Sequence, residues 1–143
     1  MNVRQISVFL ENRSGQLAEI TQVLAANNID LRAISIAETS DYGVLRLILD
    51  DAQKATDILL SHGYILSMTP VNVVEVPDQV GGLSAVLRVL ADGHMDIEYM
   101  YSLFTHREGK AYMVFRVDDE EKFAALLAEN GLHMCKKEEL GLK

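Results

Sequence analysis

Tryptophan is absent from this sequence and aromatic residues make up only 6% of it, so stacking platforms for bases or sugars are scarce and the core must be aliphatic. A single cysteine, Cys135, excludes an internal disulfide. No apolar run approaches the roughly 18 residues that would span a bilayer, and the start of the sequence passes into an alternating pattern without an apolar signal segment. A cytoplasmic location is therefore expected. Positive charge is also in short supply: 13 Lys and Arg face 21 Asp and Glu, a net charge of -8. The resulting field repels phosphate backbones and argues against nucleic acid or an anionic membrane as partner, while leaving small zwitterions admissible. Hydrophobic residues nevertheless reach 49%, the balance of a chain that folds.

An internal repeat organises the 143 residues. Gly15, Leu17, Ile20, Val23, Leu24, Ala25 and Asp30 recur sixty-six positions later as Gly81, Leu83, Val86, Val89, Leu90, Ala91 and Asp96. Farther along, the offset is sixty-eight, pairing Asp50-Asp51 with Asp118-Asp119, Leu59 with Leu127 and Gly63 with Gly131. The slip belongs in a hairpin, at Thr39 to Gly43 in the first repeat and the longer Thr105 to Lys110 in the second.

Within each repeat the hydrophobic period alternates between two and 3.6. Ile6, Val8 and Leu10 read as a strand; Leu17, Ile20 and Leu24 as a helix ending at Asn27-Asn28; Leu31 to Ala37 and Val44 to Leu49 as a hairpin. Ala52, Ala55 and Leu59 mark a second helix, opened by Asp50-Asp51 and stopped at Gly63, and Tyr64 to Met68 a fourth strand. The second repeat runs Val71 to Val76, a helix with Leu83, Val86, Leu87 and Leu90, then Ile97 to Phe104, Ala111 to Val117, a helix with Phe123, Leu126 and Leu127, and Leu132 to Cys135. The fold class is α+β: two tandem ferredoxin-like βαββαβ modules with antiparallel sheets and both helices on one face, residues 1–69 and 70–143, broken only at Thr69-Pro70.

The most informative stretch is Leu10-Glu11-Asn12-Arg13-Ser14-Gly15-Gln16-Leu17. A polar loop ending in Gly at a helix start leaves backbone N–H groups for a carboxylate, and Asn12 can donate and accept. Asp30, before the second strand, is the natural partner for an ammonium group, either at the same sheet end or from a neighbouring module. The alternative is that Asn12 or Ser14 caps the helix, Gly15 turns the chain and Asp30 is solvated.

Asn12-Arg13-Ser14-Gly15-Gln16-Leu17, followed by an aliphatic helix and Asn28-Ile29-Asp30-Leu31, resembles the ACT domains that regulate amino-acid metabolism. The resemblance covers nearly the whole chain, once per repeat. It implies paired modules that bind a free amino acid across an interface, through the loop and the start of the second strand. The implied site is Leu10, Asn12, Arg13, Ser14, Gly15, Gln16, Leu17, Asp30 and Leu31, with a second at Asp78, Gly81, Gly82, Leu83, Asp96 and Ile97. The second repeat departs from the pattern, since Asp78 stands where Asn12 does and repels a carboxylate. Tyr99 and Tyr101 replace Ala33 and Ser35, and either fill a side-chain pocket or pack at an interface.

The third strands carry Val44, Arg46 and Ile48, and Tyr112, Val114 and Arg116, opposite their core-facing residues. An exposed face of that mixed kind suggests burial against a partner, most economically in a homodimer. No catalytic constellation emerges: His133 and Cys135 share a strand face without a third group, His62, His94 and His106 lack ligand spacing, and the acidic pairs read as helix starts. Neither a metal nor another cofactor is expected. The working expectation is a non-enzymatic amino-acid sensor, with a regulatory subunit of a separate catalytic chain such as acetolactate synthase as the alternative. RNA binding is remote: Lys110 to Phe115 faintly matches an aromatic third-strand motif, but the first repeat has none and the charge opposes it.

Overall fold

A computed structural model describes every residue except 1, 2, 12 and 39–41. The elements, in order, are β1 (Val3–Glu11), α1 (Gln16–Ala26), β2 (Leu31–Glu38), β3 (Tyr42–Leu49), α2 (Ala52–Ser61), β4 (Ile65–Pro77), α3 (Gly82–Asp92), β5 (Ile97–Ser102), β6 (Lys110–Val117), α4 (Glu120–Glu129) and β7 (Met134–Cys135), followed by a 3-10 turn at Lys137–Leu140. The hairpin expected at Thr39 to Gly43 falls largely outside the described residues.

The chain forms two compact units. The first is Arg4–Pro70 with Gly141–Lys143, and the second is built on Val71–Leu140. Thr69-Pro70, at the division between the units, lies inside a continuous β4, since an extended strand accepts a proline wherever its N–H is not needed for the ladder. The last residues pack as well. Leu142 is buried, and in the first unit Lys143 donates its N–H to the Asp50 carbonyl at 2.8 Å.

In the first unit the strands lie in the order β2-β3-β1-β4. Antiparallel register pairs Ile6 with Leu47 and Glu11 with Tyr42 between β1 and β3, and Leu31 with Leu49 and Glu38 with Gly43 between β2 and β3. In the second unit, β6 pairs with β5 and with the latter part of β4, and β7 pairs β4 on its other side. Each repeat is thus an antiparallel βαββαβ sheet of the ferredoxin-like kind.

Alternation along the strands and the 3.6 period along the helices meet in each core. Ile6, Val8, Leu10, Leu45, Leu47 and Leu49 pack against Ile20, Leu24, Ala55 and Leu59. In the second unit Val74, Val76, Phe115 and Val117 pack against Val86, Leu90, Phe123 and Leu127. Helix boundaries repeat as faithfully. Asn28 and His94, just past α1 and α3, both take positive φ, as do Gly63 and Gly131 past α2 and α4. Asp51 and Asp119 cap α2 and α4, accepting the N–H groups of Lys54 and Lys122, each at 3.1 Å. Asp51→Ala and Asp119→Ala are each expected to cost about 1 kcal/mol in chemical denaturation.

The third-strand faces read as exposed are not. Ile48, Tyr112 and Val114 are buried, and only Val44, Arg46 and Arg116 retain partial exposure. Ser7 and Gln5 are buried as well, with Gln5 Nε2 donating to Ser7 Oγ at 3.0 Å. Those positions therefore offer no exposed face from which to argue a homodimer. Among the described residues no helix is long and apolar enough to cross a membrane.

Candidate functional site

The loop after β1 delivers its groups to the head of α1. Gly15, at φ 82°, is itself the helix cap, which places Ser14 one residue before the capping position. A glycine cap has no side-chain oxygen to offer the first-turn N–H groups, and N–H groups left uncapped at the positive end of a helix suit an anion. A Cβ at Gly15 would meet nothing within 4 Å, so glycine is required there by its left-handed φ alone. Asn12 lies outside the described residues.

Two clefts flank this loop, and Glu11, Arg13 and Gln16 line both. One, of about 250 Å³, adds Phe9, Glu19, His62, Gly63, Tyr64 and Ile65. The other, of about 110 Å³, adds Leu10, Leu17, Ile36, Tyr42 and Gly43. The first holds charges of both signs. Arg13 Nη2 lies 3.5 Å from Glu19 Oε2, and Arg13 Nε 3.9 Å from Glu11 Oε2. The Tyr64 hydroxyl donates to Glu19 Oε1 at 2.9 Å, and burial together with that bond holds its pKa above the usual tyrosine value.

Gln16, one of the implied site residues, is the buried polar member. It is 9% exposed, and its Oε1 is buried without a hydrogen-bond partner among the described residues. An orphaned acceptor of this kind costs roughly 1–3 kcal/mol, a deficit that an incoming N–H donor removes.

The other implied residues divide. Leu10 belongs to the core, and Leu31 packs partly buried against it. Asp30 is not brought to the loop within its own unit. It precedes Leu31, which pairs with Leu49, whereas Glu11 pairs with Tyr42, seven residues and about 23 Å away along β3. It sits with Asn28 and Asp50 in a shallow pocket, donating its N–H to Asp50 Oδ1 at 3.0 Å. Placement at the same sheet end within one unit is thereby excluded. Sequence reasoning also missed Glu19, His62 and Tyr64. The signal was topological: β4 neighbours β1 in the sheet, and the end of α2 and the start of β4 line the same cleft as the end of β1.

The second loop is closed. Asp78, Gln79 and Gly82 donate their N–H groups to the carbonyls of Gly109, Pro77 and Gln79 at 3.0, 2.9 and 3.0 Å. Gly81 repeats Gly15 as a left-handed cap, φ 83°. Gly82, however, stands where Gln16 does, and a Cβ there would lie 2.0 Å from the Pro77 carbonyl oxygen. Leu83 packs against the core, while Asp96 and Ile97 lie at the far sheet end like Asp30 and Leu31. Tyr99 and Tyr101 stack on each other, with ring centroids 6.4 Å apart.

Cys135 is a poor nucleophile, since burial pushes its thiol up to about 11.

Comparison with known proteins accords with this repeat architecture. The model of the ACT domain pair matches residues 1–142. The chain resembles the crystal structure of protein BT0572 from Bacteroides thetaiotaomicron, with 37% identity and a TM-score of 0.89 over 99% of this chain and 96% of that one. It shares the fold of the regulatory subunit of aspartate kinase from Thermus thermophilus, with 16% identity and a TM-score of 0.64 over 89% and 91% of the two chains. The corresponding subunit from Thermus flavus gives 18% identity and a TM-score of 0.60 over 90% of each. No curated protein matches. With its two βαββαβ units, and with the pair model matching across residues 1–142, the chain belongs to the family of ACT domain pairs.

Proposed function

We propose that the first repeat binds a free amino acid at the head of α1 and that the protein serves as a non-enzymatic regulator of amino-acid metabolism. The observation that carries this reading is the buried Oε1 of Gln16 between the two clefts, without a hydrogen-bond partner among the described residues. A zwitterion needs a donor set for its carboxylate and acceptors for its ammonium. The α1 N–H groups and Arg13 supply the first; Gln16 Oε1 and Glu19 supply the second. Asp30 enters only if a neighbouring module brings it to the loop, and an Asp30→Asn variant that keeps full ligand response removes it from the site. A fold shared with a regulatory subunit of aspartate kinase supports a regulatory role, whether the chain acts alone or on a separate catalytic chain.

A homodimer is proposed at this same end. Phe9, Leu17, Ile36, Tyr42 and Ile65 line the clefts and are all at least two-fifths exposed, which is unusual for large apolar side chains clustered together. Light scattering is expected to give twice the 15.9 kDa chain mass, reverting to the monomer in Ile36→Asp.

Thermal-shift screening against the twenty amino acids tests the ligand. At one hundred times its dissociation constant, the right one should stabilise the protein by about 2.7 kcal/mol. Gln16→Met keeps the volume but removes the acceptor, so the shift should vanish while the unliganded melting temperature holds or rises. A drop in unliganded stability instead assigns Gln16 a structural role.

A further inference from the structure

The antiparallel pairing of β4 with β7 assembles a second constellation, far in sequence from the first-repeat loop. Val73 faces Cys135 and Val74 faces Met134, so the next residues inward and outward place Glu75 beside His133, where the Glu75 N–H donates to the His133 carbonyl at 3.0 Å. His133 immediately precedes β7 and Cys135 lies within it, and a ligand atom from each of Glu75, His133 and Cys135 lies within 4.8 Å of the others. The three offer a carboxylate oxygen, an imidazole nitrogen and a sulfur, the donor types that zinc takes.

Two further features separate this cluster from chance proximity. His133 Nε2 is 2.7 Å from Glu139 Oε2, and Glu139 is itself fixed by the Lys136 N–H at 2.9 Å and by Arg107 on its carbonyl at 2.6 Å. A cation taken by the other ring nitrogen leaves Nε2–H donating to that carboxylate, the arrangement that orients histidine ligands in metal sites. The internal repeat supplies the second argument. The equivalent positions of the first unit, by the offsets of sixty-six and sixty-eight, are Phe9, Ile65 and Ser67. The fold therefore does not demand ligand chemistry at these three places, yet the second unit has it at all three.

We propose that Glu75, His133 and Cys135 form a binding site for a divalent cation of the zinc class, with Glu139 holding the imidazole. Lys110 Nζ, 3.0 Å from Glu75 Oε1, shares that carboxylate at the mouth of the site. Binding replaces the thiol proton of Cys135 with the metal and releases that proton to solvent. The first-repeat amino-acid site is independent of it, so either can fail without the other.

The test uses the full chain, reduced and freed of metal by chelation. Cobalt(II), the spectroscopic stand-in for zinc, is expected to bind at one equivalent with a thiolate-to-metal charge-transfer band in the near ultraviolet, and zinc is expected to displace it. Cys135→Ser should abolish the band. Glu75→Gln and His133→Gln should weaken zinc binding by more than about 100-fold, and Glu139→Gln by about 10–100-fold. Because the band in the unmutated protein reports the sulfur directly, a variant that fails to fold does not decide the matter. Cobalt binding without the band, or zinc binding unchanged in folded Cys135→Ser, overturns the proposal, as does the absence of any binding at micromolar metal.

Discussion

Gly82→Ala is expected to destabilise the second unit by about 3 kcal/mol, the upper end of what one added methyl group costs in a packed site. The reason is what that methyl would meet. Its carbon would lie 2.0 Å from the Pro77 carbonyl oxygen and 3.0 Å from the carbonyl carbon, and backbone held in a loop cannot rotate away like the end of a flexible side chain. The loop would have to open, straining the N–H bonds that Gln79 and Gly82 make across it. Urea unfolding followed by circular dichroism reads the change; a loss under 0.5 kcal/mol would mean that the loop does not hold this close approach. The same contact bears on function. The glutamine that stands at this position in the first repeat cannot be accommodated here, so the second loop lacks the acceptor proposed to receive the ligand's ammonium group.

Phe123→Ala should cost still more, about 3–5 kcal/mol. Phe123 is fully buried, and its ring lies 5.6 Å from that of Phe115 at a 46° tilt, in the core where α4 meets β6. Truncation removes both the area burial and the aromatic contact and leaves a cavity that the sheet cannot collapse into. Phe104→Ala is the matched control: that ring is 55% exposed, and its loss should stay within about 0.5 kcal/mol in the same unfolding experiment.

Much of the fold could be read from the sequence because its determinants are local. The spacing of Ile20 and Leu24, the alternation of Leu45, Leu47 and Leu49, and the acidic helix starts at Asp51 and Asp119 each act within a few residues, and the repeat confirms each reading by stating it twice. What escaped depends on register or on third-dimensional packing. Ile48, Tyr112 and Val114 look solvent-facing from alternation, since alternation separates two faces without saying that both are covered. Asp30 looks adjacent to the Asn12 loop in a linear motif, yet a helix lies between them and carries the chain to the opposite sheet end. Gln16 reads as one polar loop residue among several; only its position on the first turn of α1 shows that its amide is buried. Glu75 joins His133 and Cys135 solely through strand register, which spans about sixty residues of sequence and leaves no local trace.

The most direct test of the account is the number of ligands bound. Isothermal titration with the amino acid that stabilises the protein should give one site per chain, lost in Gln16→Met and unaffected by Asp78→Asn in the second loop. Two sites per chain, or binding that survives Gln16→Met, would contradict the assignment to the first repeat, and no heat with any of the twenty amino acids would contradict amino-acid binding itself.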